Sequence, residues 1–328
     1  MPAICSGGLP ETGTCPTCTA PFEAHTSRTP TCTVCLRWGS MRSRTRRRGE
    51  TFTLTAAEFA QWMVRQERVC SYCGIDERDL GSLGVKNQTG SFVERLGVDR
   101  LDGERGYVTS NMVPACFVCN RTKSDWYTPE EMRILGRGIA AVWDVRLGRQ
   151  EYTETSETAT SGTSGGNVFP GNHGCGITGT SCRSCASPFE PHTPQTPLCT
   201  VCVRFRSLRG NARRVRRDGT RPDLGWDLRG FSEWFSAQPR CCTYCGVDET
   251  TLPKLGLPTQ VGLPLQRLGI DRLDGGQGYS DGNAVLCCLA CNRIRSATFS
   301  PKEMRLIVPS VRRLWERRLG EGRAAHMR

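Results

Sequence analysis

The chain has few of the features that mark membrane, secreted or single-core proteins. None of its apolar runs approaches the ~18 residues that span a bilayer. Its first residues contain no charged segment followed by an apolar stretch, so we expect no signal peptide. Apolar residues make up 37% of 328 residues, which is low for one large core and favours two to four small domains. Histidine is scarce, at four residues.

Cysteine, in contrast, is abundant at 20 residues, and most cysteines fall in C-x-x-C pairs. This spacing is typical of metal ligands and not of a disulfide framework. Because zinc-bound thiolates need reduced cysteine, the pattern predicts an intracellular protein of the cytoplasm or nucleus. A secreted, disulfide-bonded chain is the alternative.

The net charge is +12, with arginine far more frequent than lysine. A charge of this sign favours a polyanionic partner, most simply nucleic acid. The alternative is a protein from an arginine-rich proteome, and charge alone does not decide between the two.

An internal repeat organises the whole sequence. Two segments of the first half recur in the second half. The first match pairs APFEAHTSRTPTCTVC with SPFEPHTPQTPLCTVC. The second match pairs VDRLDGERGYVTSNMVPACFVCNRTK with IDRLDGGQGYSDGNAVLCCLACNRIR. Between the copies, YTETSETATSGTSGGN has the composition of a flexible linker. We therefore predict two tandem units joined by a linker at residues 151–175. Each unit begins with a small four-cysteine zinc module that has an arginine-rich tail, at residues 1–50 and 176–225. Each unit ends with a larger module, at residues 51–150 and 226–328.

The small modules are too short to build a core, so zinc is expected to supply their folding energy. Buried free cysteines are the alternative, although they would not need paired spacing. The arginine-rich stretches that follow are interpreted as solvated connectors, either plain charged loops or segments that contact phosphates. A short helix is expected next, with Thr55 and Glu58 as its capping box and Phe59, Trp62 and Met63 on one face. The tryptophan is expected in the core.

The larger module reads as strand, loop, strand and helix. Residues 96–102 have strand character, turn residues follow, and residues 111–115 return as a second strand. Cys116 then opens a helix, and a further helix begins at Thr128-Pro129, with Glu131 at its third position. The predicted fold class is α+β.

This order of residues resembles the HNH endonuclease family, whose catalytic unit is a ββα-metal finger. The resemblance covers roughly residues 70–125 and 242–297. It implies one divalent ion, Mg²⁺ or Mn²⁺, held by an acid on the first strand and a residue on the helix. Those roles map to Asp99 with Asn120, and to Asp271 with Asn292. The family's middle asparagine, which braces the loop, maps to Asn111 and Asn283.

One position departs from the family. Where its general-base histidine usually stands, the two copies have Arg100 and Arg272, and arginine cannot accept a proton from water. Two interpretations follow. In the first, arginine clamps the phosphate while a metal-bound water, Asp102 or Asp274 acts as the base. In the second, the fold binds nucleic acid without cleaving it.

Other residues carry weaker indications. His25 and His192, at equivalent places, are alternative zinc ligands, hydrogen-bonded loop residues, or a base delivered from a neighbouring module. Taken alone, Asp99 would be a surface ion pair or turn residue, and the repeated context argues against that. Cys241 and Cys287 stand next to expected ligands, which leaves the ligand choice ambiguous by one residue.

Together these patterns predict a metal-dependent endonuclease with two HNH-like centres, acting on phosphodiester bonds in nucleic acid, with DNA as the expected substrate. The alternative is an inactive zinc-dependent nucleic-acid-binding protein. The duplication makes a monomer sufficient, and no membrane partner is expected. The expected structural zinc ligands, in up to four sites, are Cys15, Cys18, Cys32, Cys35, Cys70, Cys73, Cys116, Cys119, Cys182, Cys185, Cys199, Cys202, Cys242, Cys245, Cys288 and Cys291. The expected nucleic-acid contacts are Arg42, Arg44, Arg46, Arg47, Arg48, Lys123, Arg213, Arg214, Arg216, Arg217 and Arg295.

Overall fold

Helices and short antiparallel strand pairs make the chain α+β, as its sequence predicts. The computed structural model describes residues 12–15, 21–23, 32–49, 52–87, 89–152, 181–185, 198–213, 221–257 and 265–326. They belong to two compact units, Met1–Gln150 and Glu151–Arg328. Within the described ranges, no helix combines the length and apolar character that a membrane span requires.

The first unit combines helices with two antiparallel strand pairs, β1–β2 and β3–β4. Its elements are β1 (Thr12–Thr14), β2 (Pro21–Glu23), α1 (Thr33–Arg47), α2 (Ala56–Val64), β3 (Gly97–Arg100), β4 (Met112–Ala115), α3 (Phe117–Lys123) and α4 (Pro129–Arg146), with 3-10 helices at Glu77–Leu83 and Thr109–Asn111. Strands β3 and β4 are antiparallel, and Gly97 lies opposite Ala115. Helix α3 follows β4 and packs on β3, which gives the ββα order expected from the sequence.

The second unit repeats that order. Its elements are α5 (Thr200–Ala212), α6 (Leu228–Ala237), β5 (Gly269–Arg272), β6 (Ala284–Cys287), α7 (Leu289–Arg295) and α8 (Pro301–His326), with a 3-10 helix at Glu249–Leu255. Gly269 lies opposite Cys287 in the β5–β6 pair, the same register as in the first unit. The positions of helix, hairpin and second helix therefore follow the internal repeat of the sequence.

Side-chain caps begin the helices where the sequence predicts. Thr55 and Glu58 form a reciprocal capping box at α2, and Thr128 and Glu131 form another at α4. Each box satisfies backbone N–H groups that the first turn of a helix leaves without partners. Trp62 is buried, which confirms the expectation of a core position.

The arginine-rich stretch of the first unit is helical, which differs from the connector expected from its charge. Helix α1 runs through Arg47, and Arg42, Arg44 and Arg46 are exposed on it. Arginine is a good helix former, and positive charge near a helix C-terminus is favourable with the helix dipole. The prediction of a connector, which was based on the high positive charge of this segment, is therefore wrong about its local structure.

The predicted boundary at residue 50 does not separate two cores. The buried cysteines Cys15, Cys32 and Cys35 share one hydrophobic cluster with residues of α2 and with Val98 on β3. The apolar side of α1 has too little partner surface in the small cysteine module, so it packs on α2. The small module and the hairpin module are one packed body in this unit.

Several sequence predictions fall outside the described residues. These are the linker from residue 153 onward, Cys18, His25, His192, Arg214, Arg216 and Arg217.

Replacing Gly136 with alanine should destabilise the first unit. An added Cβ would lie 2.1 Å from the backbone carbonyl oxygen of Tyr72, because α4 packs against the Cys70–Cys73 turn at this glycine. We expect Gly136→Ala to cost about 1–3 kcal/mol in urea denaturation followed by circular dichroism. Gly39→Ala is the matched control, since it is also helical and has nothing within 4 Å, so its stability should hold or rise. A Gly136→Ala protein as stable as the parent would contradict this packing.

Candidate functional site

Among the residues that the structure describes, cysteine sulfurs meet in four places. Three groups contain four cysteines whose sulfur atoms all lie within 4.8 Å of one another, and a further group contains three. The groups are Cys70, Cys73, Cys116 and Cys119; Cys242, Cys245, Cys288 and Cys291; Cys182, Cys185, Cys199 and Cys202; and Cys15, Cys32 and Cys35. The expected fourth member of the last group, Cys18, is outside the described residues. These groups can hold metal ions.

The sulfur spacing fits a tetrahedral zinc site and excludes disulfides. The sulfurs of Cys73 and Cys116 are 3.8 Å apart, and those of Cys245 and Cys288 are 3.8 Å apart. A zinc ion with four bonds of about 2.3 Å separates its sulfur ligands by about 3.8 Å, whereas a disulfide needs about 2.05 Å. All the described cysteines are free.

Charge also favours a cation at the centre of each group. Hydrogen bonds from Cys116, Cys119 and Cys73 hold the pKa of the Cys70 thiol far below its usual range. Burial raises the pKa of Cys119 well above its usual value. One thiolate is therefore stabilised by protonated neighbours, and ionising all four requires a positive ion among them.

Local backbone geometry presents the cysteines. After the C-x-x-C pair of the first unit comes Gly74, whose φ of +73° suits glycine, and its N–H donates to the carbonyl of Cys70. Cys116 is the N-cap of α3, and its sulfur accepts from the N–H of Cys119 at 3.4 Å. Thus a tight turn and a helix N-terminus bring two distant pairs together.

The tertiary structure selects between neighbouring cysteines. Cys241 and Cys287 lie outside the four-sulfur group of the second unit, which Cys242 and Cys288 join instead. Cys287 ends β6 and is fully buried, so its neighbour Cys288 is the residue at the helix N-cap.

Beside the cysteine group of the first unit lies the carboxylate of Asp99. Asp99 is on β3 and only 7% exposed. The hydroxyl of Tyr72 donates to its Oδ2 at 2.5 Å. Burial raises the pKa of Asp99, while Tyr72 and Lys123 act in the opposite direction. Burial and the same carboxylate raise the pKa of Tyr72, so its phenol stays protonated and serves as a donor.

A buried cation faces the same carboxylate. Lys123 on α3 places its Nζ 3.3 Å from Asp99 Oδ2 and donates to the Arg100 carbonyl at 2.8 Å. The sequence had suggested Lys123 as a nucleic-acid contact. The structure corrects this, because its side chain points from the helix to the strand end and is 2% exposed.

The second unit has the same arrangement with arginine in place of lysine. Tyr244 donates to Asp271 Oδ2 at 2.8 Å. Arg295 donates through one nitrogen to both oxygens of Asp271, at 3.2 and 3.0 Å. Arg295 is therefore also buried beside the carboxylate, and its suggested role as a nucleic-acid contact is corrected in the same way.

Two asparagines in each unit have different surroundings. Asn111 is 1% exposed, and its side chain binds both the N–H and the carbonyl of Asp102, so it ties the loop between the strands. Asn283 makes the matching bonds to Asp274. Asn120 is on α3, and its amide nitrogen donates to the Val98 carbonyl at 3.1 Å, which ties the helix to strand β3. Asn292 is the corresponding residue on α7.

Arginine at the family's base position lies over an aromatic ring. The guanidinium of Arg100 is 5.2 Å from the centre of the Tyr107 ring, and that of Arg272 is 5.1 Å from the Tyr279 ring. Asp102 and Asp274, the two aspartates considered as general bases, form hydrogen bonds within the turn that follows the first strand. Asp102 accepts a hydrogen bond from the Glu104 N–H. In the second unit, both oxygens of Asp274 accept hydrogen bonds from the turn.

Comparison with solved structures finds an HNH restriction endonuclease. It is the rare-cutting enzyme PacI, whose structure is described for its mechanism of DNA perturbation. The two chains are 35% identical, and the match covers 41% of this chain and 97% of that one with a TM-score of 0.37. Neither the protein-family models nor the curated proteins match this chain.

Tyr72 and Tyr244 are site residues that sequence reasoning missed. They occupy the same place inside the C-x-x-C pair of each copy, as CSYC and CTYC. The sequence shows that the tyrosine is repeated, but a tyrosine inside a C-x-x-C pair is usually interpreted as a core residue. Contact with the aspartate depends on the packing of the knuckle against β3.

Exposed arginines give helix α1 and the end of helix α5 the positively charged surface that binding of a polyanion requires. Arg42, Arg44, Arg46, Arg47 and Arg48 are exposed at α1 and its C-terminus. Arg213 is exposed just after α5. Their contact with nucleic acid stays a prediction.

Serine substitutions should distinguish the zinc ligands of the second unit from the adjacent cysteine. We expect Cys291→Ser to lower the zinc content by one ion per chain in atomic absorption, because a four-sulfur site loses one of its ligands. Cys287→Ser is the matched control and should retain the parental zinc content, since Cys287 is outside the group. Zinc loss on Cys287→Ser, with none on Cys291→Ser, would reverse the ligand assignment.

Proposed function

We propose that the chain is a metal-dependent endonuclease that hydrolyses phosphodiester bonds in DNA, with one HNH-like centre in each unit. The observation that carries this proposal is the repeated polar cluster on the ββα element. In both units a buried aspartate lies on the first strand of the hairpin, a tyrosine donates to it, and an asparagine braces the loop. Packing alone does not need a buried carboxylate with these partners twice.

The donor set of the first unit fits one divalent ion, and that of the second unit has the same donor types but would receive an ion only after Arg295 leaves the Asp271 oxygens. Asp99 and Asn120 supply hard oxygen atoms, as Mg²⁺ and Mn²⁺ prefer, and Asp271 and Asn292 do so in the second unit. Lys123 meets Oδ2 of Asp99, so Oδ1 lies outside the hydrogen bonds of Tyr72 and Lys123. When bound, the ion would polarise the scissile phosphate and stabilise the leaving oxygen.

The chain's own residues position the reactants. Tyr72 orients the Asp99 carboxylate, and Asn111 holds the loop whose Arg105 carbonyl accepts a hydrogen bond from Arg100 at the end of β3. A guanidinium does not serve as a general base, so the role of Arg100 is to bind a phosphate oxygen and not to remove a proton. Asp102 accepts a hydrogen bond within the turn, and both oxygens of its counterpart Asp274 accept hydrogen bonds there. Because these carboxylates serve the turn, the proton of the attacking water passes to solvent or to a group other than these two aspartates.

A second candidate function is DNA binding without cleavage. The observation favouring it is the cation beside each aspartate, above all Arg295, which contacts both oxygens of Asp271. A divalent ion would have to displace that contact. Binding without cleavage retains the same zinc groups and the same exposed arginines, so only a cleavage assay separates the two candidates.

Removing both helix asparagines should abolish cleavage. We expect zinc-loaded Asn120→Ala/Asn292→Ala protein to nick supercoiled plasmid at least about 100-fold more slowly than the parent with Mg²⁺ or Mn²⁺, because a metal ligand is lost in each centre. The readout is conversion to open-circular DNA on agarose gels. Gln61→Ala, which removes an exposed amide from α2, is the control and should retain parental rates.

Parental protein that binds plasmid but cuts it under no divalent ion would favour the binding function. Equal rates for the double variant and the parent would exclude these asparagines from the chemistry.

Single variants should show whether one chain contains two independent centres. Asn120→Ala alone and Asn292→Ala alone each leave one intact cluster, so we expect open-circular plasmid to accumulate while linear product falls about 10-fold or more. The parent should proceed to linear DNA. Linear product formed at the parental rate by either single variant would mean that the altered centre contributes nothing to double-strand cutting.

A further inference from the structure

Helices α1 and α5 are two copies of one helix, each held against its own unit by the same contacts. Arg37 on α1 pairs with Glu77 at 2.6 Å, and Arg204 on α5 pairs with Glu249 at 2.5 Å. Both glutamates also accept from the backbone just before the first strand of the hairpin, at Leu96 and Leu268. Each helix therefore has a set orientation relative to the polar cluster of its unit.

The inward sides of the two helices agree. Met41 on α1 and Leu208 on α5 are both buried, and so are the next inward residues, Thr45 and Ala212. These pairs keep a similar size, which is what packing against the α2 and α6 helices requires. The duplication has therefore preserved the way in which the helix docks.

The outward sides present different chemistry. On α1 the sequence of outward positions is Gly39, Ser40, Ser43 and Arg44, and at the matching positions of α5 it is Arg206, Ser207, Gly210 and Asn211. The spacing of three and four residues places each set on one helix face. Except for half-buried Gly39, all of these residues are exposed. The α1 face, with Leu36 and Arg47, borders an open groove of 630 Å³.

Arginines flanking these faces are the same in both copies. Arg42 matches Arg209, and Arg46 matches Arg213, and all four are exposed. Shared positive charge suits phosphates, which are identical at every step of a duplex. The differing positions are therefore the ones that can distinguish base sequences.

The differing residues have known preferences for base edges. Arginine forms paired hydrogen bonds with guanine, and asparagine forms them with adenine, in a major groove wide enough for a helix. Arg44 on α1 is replaced by Asn211 on α5, while Gly39 is replaced by Arg206. Serine and glycine at the other positions allow close approach of the helix. In the structure Arg44 donates to the Ser40 carbonyl at 3.2 Å, an exposed contact that it can exchange for a base.

We propose that α1 and α5 insert into the DNA major groove and read two unlike half-sites, so the preferred target of the chain consists of two different sequences. The proposal rests on the proposed function only in taking DNA as the partner, and it concerns binding and not cleavage. The α1 half-site contains a guanine opposite Arg44, and the α5 half-site contains an adenine opposite Asn211.

A binding selection tests this assignment. Zinc-loaded full-length protein carrying Asn120→Ala/Asn292→Ala is mixed with a pool of random duplexes, and bound DNA is recovered and sequenced over several rounds. We expect an enriched motif with two unlike half-sites. A second protein adds Val203→Leu, Arg206→Gly, Gly210→Ser and Asn211→Arg, which gives α5 the outward residues of α1. For it we expect two copies of one half-site.

Controls separate base reading from charge and folding. Asn211→Ala should lower the preference for adenine at one position by about 5- to 160-fold. Arg42→Ala/Arg209→Ala should weaken binding to all duplexes without changing the motif. Zinc content and circular dichroism must match the parent in each protein that is compared.

Two identical half-sites for the parent, an unchanged motif after the α5 replacement, or no enrichment of any duplex would each overturn the proposal. If unlike half-sites are bound but the parental centres cut no DNA, the endonuclease function fails while this inference stands. If DNA is cut but every duplex is bound equally, the endonuclease function stands and this inference fails.

Discussion

The convergence of four cysteine sulfurs in the hairpin module is the constraint on which each unit depends. A two-stranded hairpin such as β3–β4 is too small to be stable alone, and the helix after it has only seven residues. The Cys70–Cys73 turn and the N-terminus of α3 meet at one point, which joins segments more than forty residues apart. With the hairpin and helix held there, the loop between the strands has a defined start and end.

The position of the polar cluster follows from that joint. Tyr72 lies inside the cysteine turn, so the contact that ties α3 to the turn also brings a phenol against Asp99. Lys123 is on the last turn of the same helix and reaches back to the strand end. A carboxylate buried among a phenol and an ammonium group is costly unless each partner is engaged, and here each one is. The loop asparagine Asn111 completes the arrangement from the other side.

Duplication gives an internal comparison of which features the fold requires. Buried contacts recur with little change: Arg37–Glu77 and Arg204–Glu249 fix one helix, while Tyr72–Asp99 and Tyr244–Asp271 build one cluster. Lysine becomes arginine beside the aspartate, which keeps the charge but engages both oxygens. The exposed faces of α1 and α5 differ in chemistry, in contrast to the buried residues that dock the two helices.

The sequence by itself determined the repeat, the helix caps and the C-x-x-C pairs that supply the cysteine groups, because these depend on local spacing or on residue type. It also placed Asp99 at the end of a strand and Asn120 on a helix. Tertiary structure decided the rest. Burial of Lys123, the contact of Tyr72 with Asp99, and the choice of Cys288 over Cys287 each depend on which way a side chain points after distant segments pack. The arginine-rich stretch became a helix because α1 docks its apolar side on α2, and a charge pattern does not contain that partner surface.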